Sequence, residues 1–375
     1  MRIALNAQLL SRAQTFRSGG ISRVIYHLLR ELARDPRGHA YDVFLPETPS
    51  DPALTNGSLR YHPSGRATER PSLRIAWEQT VLPRRLASMR PDLLHGLAYA
   101  LPIGWTGPSV VTIYDLSFLR FPRAFKPGNR VYLAAVTRAA ARRARRILTI
   151  SEHSKRDIVR LLNVVEQRVD VTYPAAEERF RPLPADQVEA FRRARGLPEA
   201  FCFAVGTLEP RKNVVGLLQA YARLRPPRVP LYIGGGAGWR FSPIFDTLRR
   251  LDLDRDVHFL GFVPEDELPL WYNAARLFVF PSLYEGFGLP ALEAMACGTP
   301  VITSNAASLP EVGGKAAALV PPHDTAQLAL EVQRLLDDPQ LRSDMRTAGR
   351  IQASRFSWRA LADRTTANYQ RAVGP

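Results

Sequence analysis

Residues 281–300 read PSLYEGFGLPALEAMACGTP. The run just before, residues 276–280 (RLFVF), and the run just after, residues 301–303 (VIT), have the apolar make-up of buried strands. Between them the pattern predicts a helix from about Leu289, because Pro290 is tolerated in a first helical turn, where its missing N–H is not needed. Glu285, Gly286, Phe287 and Gly288 then form the loop that feeds this helix. Backbone N–H groups and the positive end of the helix dipole favour an anion such as a pyrophosphate there. The glycines let that anion approach the backbone. Glu285 stands beside such an anion and Glu293 one turn into the helix. Two carboxylates repel a phosphate, so they need another partner, and sugar hydroxyls fit that need.

Outward from this stretch, strand and helix signals alternate along the chain. The second half begins with a strand at 201–205, then Gly206-Thr207-Leu208-Glu209-Pro210-Arg211-Lys212-Asn213 and a helix from Val214. Further strands are read at 231–233, 257–259, 277–280, 301–303 and 318–320. In the first half, strands are read at 3–9, 42–45, 93–95, 109–114, 146–150 and 169–172, and helices at 21–33, 72–87 and 128–145. Residues 46–71, rich in Pro, Gly, Ser and Thr, are read as a mobile loop. Two alternating halves imply an α/β fold of two Rossmann-like domains facing across a cleft, 1–183 and 184–357. A last helix within 358–375 is expected to pack back on the first domain.

Composition narrows the class without choosing a partner. The 375 residues are 46% hydrophobic and 23% charged, ordinary values for a folded protein. No apolar run approaches the ~18 residues of a membrane span. The N-terminus, MRIALNAQLL, reads as a first strand and not as a leader. Cys202 and Cys297 supply neither a disulfide framework nor metal-ligand spacing. A cytoplasmic protein is expected. The net charge of +16 suits an anionic ligand, or peripheral contact with the inner face of a membrane. Nucleic acid is not expected, because the basic residues are spread along the chain and no recognised module is visible. Only four of the 51 basic residues are lysines, which gives Lys212 more weight.

The Gly206–Asn213 stretch puts two cations beside a helix N-terminus, whose dipole repels them. A bound anion resolves that conflict, with Arg211 gripping phosphate oxygens and Lys212 acting as a point charge. The plainer alternative is a solvated basic turn. Ser18-Gly19-Gly20 offers a backbone surface to a phosphate or sugar, or is a tight turn. Tyr114-Asp115 falls at the end of a strand, where open α/β sheets bind ligands. Asp252-Leu253-Asp254 matches a metal-holding aspartate pair but reads better as a turn, and no metal is expected. His95 reads as structural and the arginines of 130–145 as a solvated face.

Together, EGFGLPALEAMACGTPVITS, GTLEPRKN, HFLGFVPEDEL, ISEHSKRDI, the closing FSWRAL and the N-terminal SGGISR resemble glycosyltransferase family 4 over essentially the whole chain. The resemblance implies the GT-B fold and a retaining enzyme that uses a nucleotide-diphosphate sugar without a metal. By the same resemblance, Glu285 would bind donor-sugar hydroxyls near the reacting carbon and Glu293 the ribose. Arg211 and Lys212 would neutralise the diphosphate, with Gly288 and Leu289 adding backbone donors beside Gly206, Gly286 and Phe287. Phe262 and Val263 would flank the base, and Gly20 would face the diphosphate from the first domain. Many relatives carry His-Asp where this chain has Tyr114-Asp115, so a sugar-touching histidine is absent.

The function expected is transfer of a hexose with retention, first mannose from GDP-mannose, to a glycan or lipid-linked acceptor in polysaccharide biosynthesis. UDP-glucose is the next donor. A nucleotide-sugar epimerase and a non-catalytic sugar-binding protein are the rival readings.

Overall fold

A computed structural model of the chain describes residues 1–10, 19–55, 57–122, 125–238 and 240–374. It divides into two compact units, Met1–Pro174 with Ser357–Pro375, and Ala175–Phe356.

The first unit is built on seven strands: β1 (Arg2–Asn6), β2 (Ala40–Leu45), β3 (Leu59–Pro63), β4 (Leu93–Gly96), β5 (Ser109–Thr112), β6 (Arg146–Thr149) and β7 (Val169–Val171). Their order in the sheet is β3-β2-β1-β4-β5-β6-β7, and every neighbouring pair is parallel. The central strands β1, β4 and β5 are buried almost end to end, polar residues included, as in a parallel sheet covered on both faces. The helix Gly20–Arg34 buries Val24, Ile25, Leu28, Leu29 and Leu32, one stripe at helical spacing. Ser18 of the glycine turn ahead of it lies outside the described residues.

The closing helix Trp358–Val373 belongs to this first unit. Trp358 stacks on His27 with ring centroids 4.3 Å apart, and Tyr369 is fully buried with its hydroxyl 2.7 Å from His95 Nδ1. Each large side chain buried this way contributes about 1.5–3 kcal/mol, enough to hold a terminal helix down.

One expectation fails here. Residues 46–71 are not a mobile loop: they contain the short helix Pro52–Thr55, strand β3 and the 3₁₀ turn Arg66–Glu69. Strand β3 pairs with β2 from Tyr41↔Leu59 to Leu45↔Pro63, and Leu59 is buried. Turn-forming residues dominate the composition, and an edge strand with few apolar positions leaves too weak a period to read.

The second unit carries β8 (Cys202–Val205), β9 (Leu231–Gly234), β10 (Val257–Gly261), β11 (Leu277–Phe280), β12 (Val301–Ser304) and β13 (Ala318–Val320). The order is β10-β9-β8-β11-β12-β13, again with parallel neighbours. All strands therefore end at one edge of the sheet. The order reverses between β8 and β11, which leaves a crevice there for a ligand. Phe203, Tyr272 and Phe278 fill the core beneath, with Phe203 stacked on Trp271 at 5.4 Å.

Candidate functional site

The loops that leave β8 and β11 lie side by side at this reversal, because the two strands pair directly, Cys202 with Leu277 and Phe203 with Phe278. After β8 the chain makes a 3₁₀ turn, Pro210–Lys212, and enters the helix Val214–Tyr221. Asn213 takes a left-handed conformation between them, and its side-chain amide donates to the carbonyls of Pro281 (3.1 Å) and Pro322 (2.6 Å). The Leu283 N–H donates to Arg211 O at 2.8 Å, tying the two loops together.

Two neighbouring cations and a carboxylate more than 70 positions away meet on this platform. Arg211 Nη1 donates to Glu285 Oε2 at 2.8 Å and to Tyr284 O at 2.8 Å. Lys212 Nζ donates to Glu285 Oε1 at 2.6 Å and stands 5.1 Å over the Phe280 ring. Arg211 Nη2 also donates to Glu209 Oε1 at 2.5 Å. Burial opposes the charge on Glu285, but Arg211 and Lys212 outweigh it and draw the carboxyl down to about 2. Burial, with Arg211 nearby, pulls the Lys212 ammonium below its usual range against the attraction of Glu285. The site is thus a compact, mostly buried cluster of two cations and two carboxylates, Glu285 bridging both cations and Glu209 paired with Arg211 alone.

The loop after β11 is fixed from below. Ser308 Oγ donates to the carbonyls of Glu285 (2.9 Å) and Phe287 (2.7 Å). Phe287 is buried and packs edge-on against Phe356 at 5.4 Å, so it anchors the loop through its ring. Gly288 has φ +115°, and a Cβ there would come 2.6 Å from Leu309 Cδ2, so only glycine makes this turn. It caps the helix Leu289–Ala296, whose first N–H groups have no partner within the helix. Glu293 lies inside that helix, 1% exposed, and accepts from the Tyr272 hydroxyl at 3.2 Å.

Gly206, Gly286 and Leu289 share this edge with Glu285, Arg211 and Lys212. So do Phe262 and Val263, which follow β10. Phe262 is 47% exposed, while Val263 is buried against Gly234. Asp252 and Asp254 precede β10 and so lie at the opposite edge. Among the described residues, no group of three or more His, Cys, Asp or Glu is placed to hold a metal.

Gly20, Tyr114 and Asp115 belong to the first unit. Gly20 opens the helix Gly20–Arg34 and is exposed. Tyr114 is 3% exposed, and its hydroxyl donates to Leu97 O at 3.0 Å, so the side chain braces the loop after β4. Burial raises its phenol well above the ordinary value. Asp115 Oδ1 accepts the Ser117 N–H at 2.8 Å and starts the turn that follows. His95 is fully buried between Tyr369 and Thr112, and burial pushes it down to about 3, which keeps it neutral. Among the described residues, no helix is long and apolar enough to cross a membrane.

Sequence reasoning assigned no role to Glu209, Tyr272 or Ser308. Glu209 lies within the GTLEPRKN stretch beside Arg211, a signal that was present. Ser308 and Tyr272 carry no local signature, since only the fold brings them to Glu285 and Glu293.

The model of Glycosyltransferase Family 4 matches residues 18–178, and that of Glycosyl transferases group 1 matches residues 187–352. The chain is 36% identical over 297 residues to O-antigen chain mannosyltransferase B of Escherichia coli, spanning 77% of each protein. It is 31% identical to the D-inositol 3-phosphate glycosyltransferase of Saccharomonospora viridis, over 99% of this chain and 93% of that one. Among solved structures, sucrose-phosphate synthase from Thermosynechococcus elongatus matches with a TM-score of 0.77 at 25% identity, over 99% of this chain and 98% of that chain. Anabaena Alr3699/HepE in complex with UDP-glucose matches with a TM-score of 0.75 at 18% identity, over 99% and 100%. The fold is GT-B, two Rossmann-like domains. With the likeness to the E. coli enzyme extending over most of both proteins, the chain belongs to glycosyltransferase family 4.

Proposed function

We propose that this glycosyltransferase moves a hexose, with retention, from a nucleotide-diphosphate sugar to a glycan or lipid-linked acceptor in polysaccharide biosynthesis. The observation that carries the reading is the Arg211–Glu285–Lys212 cluster at the sheet reversal, beside the start of the helix Leu289–Ala296.

Breaking the bond to a diphosphate builds negative charge on the leaving oxygens. Preorganised donors aimed at that charge are the strongest aid a protein offers. Arg211 and Lys212 hold two such cations, and Gly288 and Leu289 add backbone N–H groups. Before the donor arrives, Glu285 and Glu209 together balance the two cations, and Glu285, bonded to both, holds their geometry. When the diphosphate takes over that work, the Glu285 carboxylate is released toward the sugar hydroxyls, near the reacting carbon. The remaining roles are a ribose contact for Glu293, base contacts for Phe262 and Val263, and a diphosphate contact for Gly20. Departing phosphate oxygens take the acceptor proton, so no protein nucleophile is needed and none is assigned.

The E. coli mannosyltransferase likeness makes GDP-mannose the first donor to test, with UDP-glucose next. A panel of nucleotide sugars, followed by nucleotide-diphosphate release with and without a chelator, tests the proposal. Release from GDP-mannose in both conditions is expected. No release from any donor overturns the reading, and loss on chelation overturns its metal-free part.

A further inference from the structure

The Arg211–Glu285–Lys212 cluster occupies one edge of the second sheet. At the other edge, where β11 and β12 begin, the second unit holds a cavity of ≈ 700 Å³. That volume is of the size that takes a small organic ligand. Its floor is Cys297-Gly298-Thr299, the turn from the helix Leu289–Ala296 into β12. Gly298 has φ +79°, and a Cβ there would come 3.6 Å from Arg350 Cδ and 3.9 Å from Pro182 Cγ, so those two side chains stand over the floor. The helices Ala185–Arg195 and Pro339–Ala353 supply the walls. Asn273 donates to Arg181 O at 3.0 Å and accepts the Leu183 N–H at 2.9 Å, and Thr299 Oγ1 donates to Tyr272 O at 2.6 Å. These two polar side chains are thus already engaged in fixing the shape of the hollow.

The charge lining it is unbalanced. Arg192, Arg346 and Arg350 meet one carboxylate, Glu189, which pairs with none of them among the described residues. Arg346 and Arg350 stand four positions apart on one helix, so they emerge from the same face, where like charges repel. Both are exposed, and among the described residues neither has an ion pair or a side-chain hydrogen bond. Arg342, one turn earlier, is held below its usual range by burial and by the repulsion of Arg276 and Arg346. Helix ends explain part of this crowding. Arg192 Nη2 donates to Ala274 O at 2.7 Å, at the carbonyl end of the helix Leu268–Ala274, although its Nε is buried without a partner. Arg350 suits the last turn of its own helix, but Arg346, a turn earlier, gains nothing there. An anion between Arg346 and Arg350 relieves the repulsion, and guanidinium groups grip phosphate oxygens bidentately. The rest of the lining is aliphatic: Pro182, Leu183, Ala185 and Val188, with no aromatic ring among the described lining residues. A nucleobase or a sugar ring finds nothing to stack on, whereas an alkyl body finds apolar surface.

We propose that this cavity is a second anion-binding site, and that it takes a phosphate monoester on an aliphatic body, with the phosphate between Arg346 and Arg350 and the carbon chain along Leu183 and Val188. The eight residues of the helix Leu289–Ala296, about 12 Å, separate it from the Arg211–Glu285–Lys212 cluster. The inference does not depend on the glycosyl-transfer reading.

Calorimetric titration of the full chain with hexyl phosphate tests it. The wild type is expected to bind, and Arg346→Ala and Arg350→Ala each to weaken binding about tenfold, one charge-assisted hydrogen bond's worth. Both arginines are exposed, so these variants are expected to unfold as the wild type does. Val188→Asp, which sets a carboxylate in the apolar wall, is expected to weaken hexyl phosphate binding by at least as much. GDP and UDP in excess are expected to leave binding unchanged. Displacement by either nucleotide would move the ligand to the Arg211–Glu285–Lys212 cluster and overturn the site. So would a wild type that does not bind, undiminished binding in both arginine variants, or inorganic phosphate binding as tightly as hexyl phosphate. Vesicles of phosphatidic acid in phosphatidylcholine separate two sources of the same chemistry. Capture that Arg346→Ala weakens and hexyl phosphate competes away assigns the phosphate to a lipid head group. Hexyl phosphate binding without capture assigns it to a dissolved alkyl phosphate, and either result supports the site.

Discussion

The two units share a strand order around their central reversal, yet the loops there carry opposite chemistry. In the second unit the edge between β8 and β11 holds Arg211 and Lys212 around the Glu285 carboxylate, with Glu209 beside Arg211. In the first, the edge between β1 and β4 holds the Asn6 amide, the buried Glu78 carboxyl held above its usual range with Arg74 near it, Tyr99 and Tyr132, with the neutral His95 behind. The topology makes the crevice in both cases. The loops decide its charge: two cations suited to a diphosphate in one, an amide, tyrosines and a single pair of opposite charges in the other.

The sharpest way to break this contrast is to remove the cations. Arg211→Ala and Lys212→Ala are each expected to lower transfer by about 10²–10³-fold, the scale for losing one donor to a developing anion. A loss of less than about tenfold in steady-state transfer would remove the diphosphate role. Glu285→Gln separates positioning from charge. It keeps a hydrogen-bonding side chain beside Arg211 and Lys212, so nucleotide binding is expected to persist while transfer falls by about 10². Unchanged turnover would refute the sugar-side assignment of Glu285.

Acid sharpens the comparison further, through the buried His95 of the first unit and the buried Glu285 of the second. His95 is held down to about 3, so it stays neutral in the fold while the unfolded chain takes up a proton near 6.5. Its contribution is complete above about 6.5 and is lost as pH falls toward about 3. Glu285 is held at about 2 against an ordinary 4.5, so its contribution is complete above 4.5 and is lost as pH falls toward about 2. Each shift corresponds to several kcal/mol, on the order of 3–5. The first unit is therefore expected to weaken at milder acidity than the second. Denaturant unfolding followed from pH 7 downward checks this: His95→Gln should flatten the upper part of the profile and Glu285→Gln only the lower part. A single shared transition unaffected by His95→Gln would remove the distinction.

What the sequence made legible follows from how local each signal is. The helix at Leu289–Ala296 and its feeding loop were readable because Gly288, Pro290 and two flanking apolar runs all sit within a few residues. Ser151 and Asp324 carry an equally local signal, a capping residue type just ahead of a helix, and each accepts an N–H three residues on. The Glu285 pairing with Arg211 and Lys212 was not, since it spans more than 70 positions, with |i−j| of 74 and 73. Diphosphate and sugar roles were expected for these three residues, but not that they would neutralise one another. Strand β3 was missed because composition outvoted a weak period, and the Asn6–Glu78 contact because an asparagine on a strand and a glutamate on a helix each look ordinary alone.

The smallest expected effect lies at Tyr114, where many relatives carry histidine. Its hydroxyl is committed to Leu97 O and its ring is buried beside Tyr99, with centroids 5.9 Å apart. Tyr114→Phe leaves the ring in place and strips one buried carbonyl of its donor, a loss of about 1 kcal/mol. The loop after β4 loosens slightly, so transfer is expected to fall about twofold at most and stability by that same ~1 kcal/mol. Nucleotide release without acceptor should not change, because the hydroxyl is turned into the protein and away from any substrate. Tyr114→His offers a ring nitrogen where the hydroxyl stood but a smaller side chain, and leaves a gap against Tyr99. It is expected to cost more stability than phenylalanine while restoring no activity. If Tyr114→Phe instead abolished donor turnover in a chain that unfolds like the wild type, Tyr114 would have to touch the sugar, and the division between a charged site and a neutral one would no longer follow the two sheets.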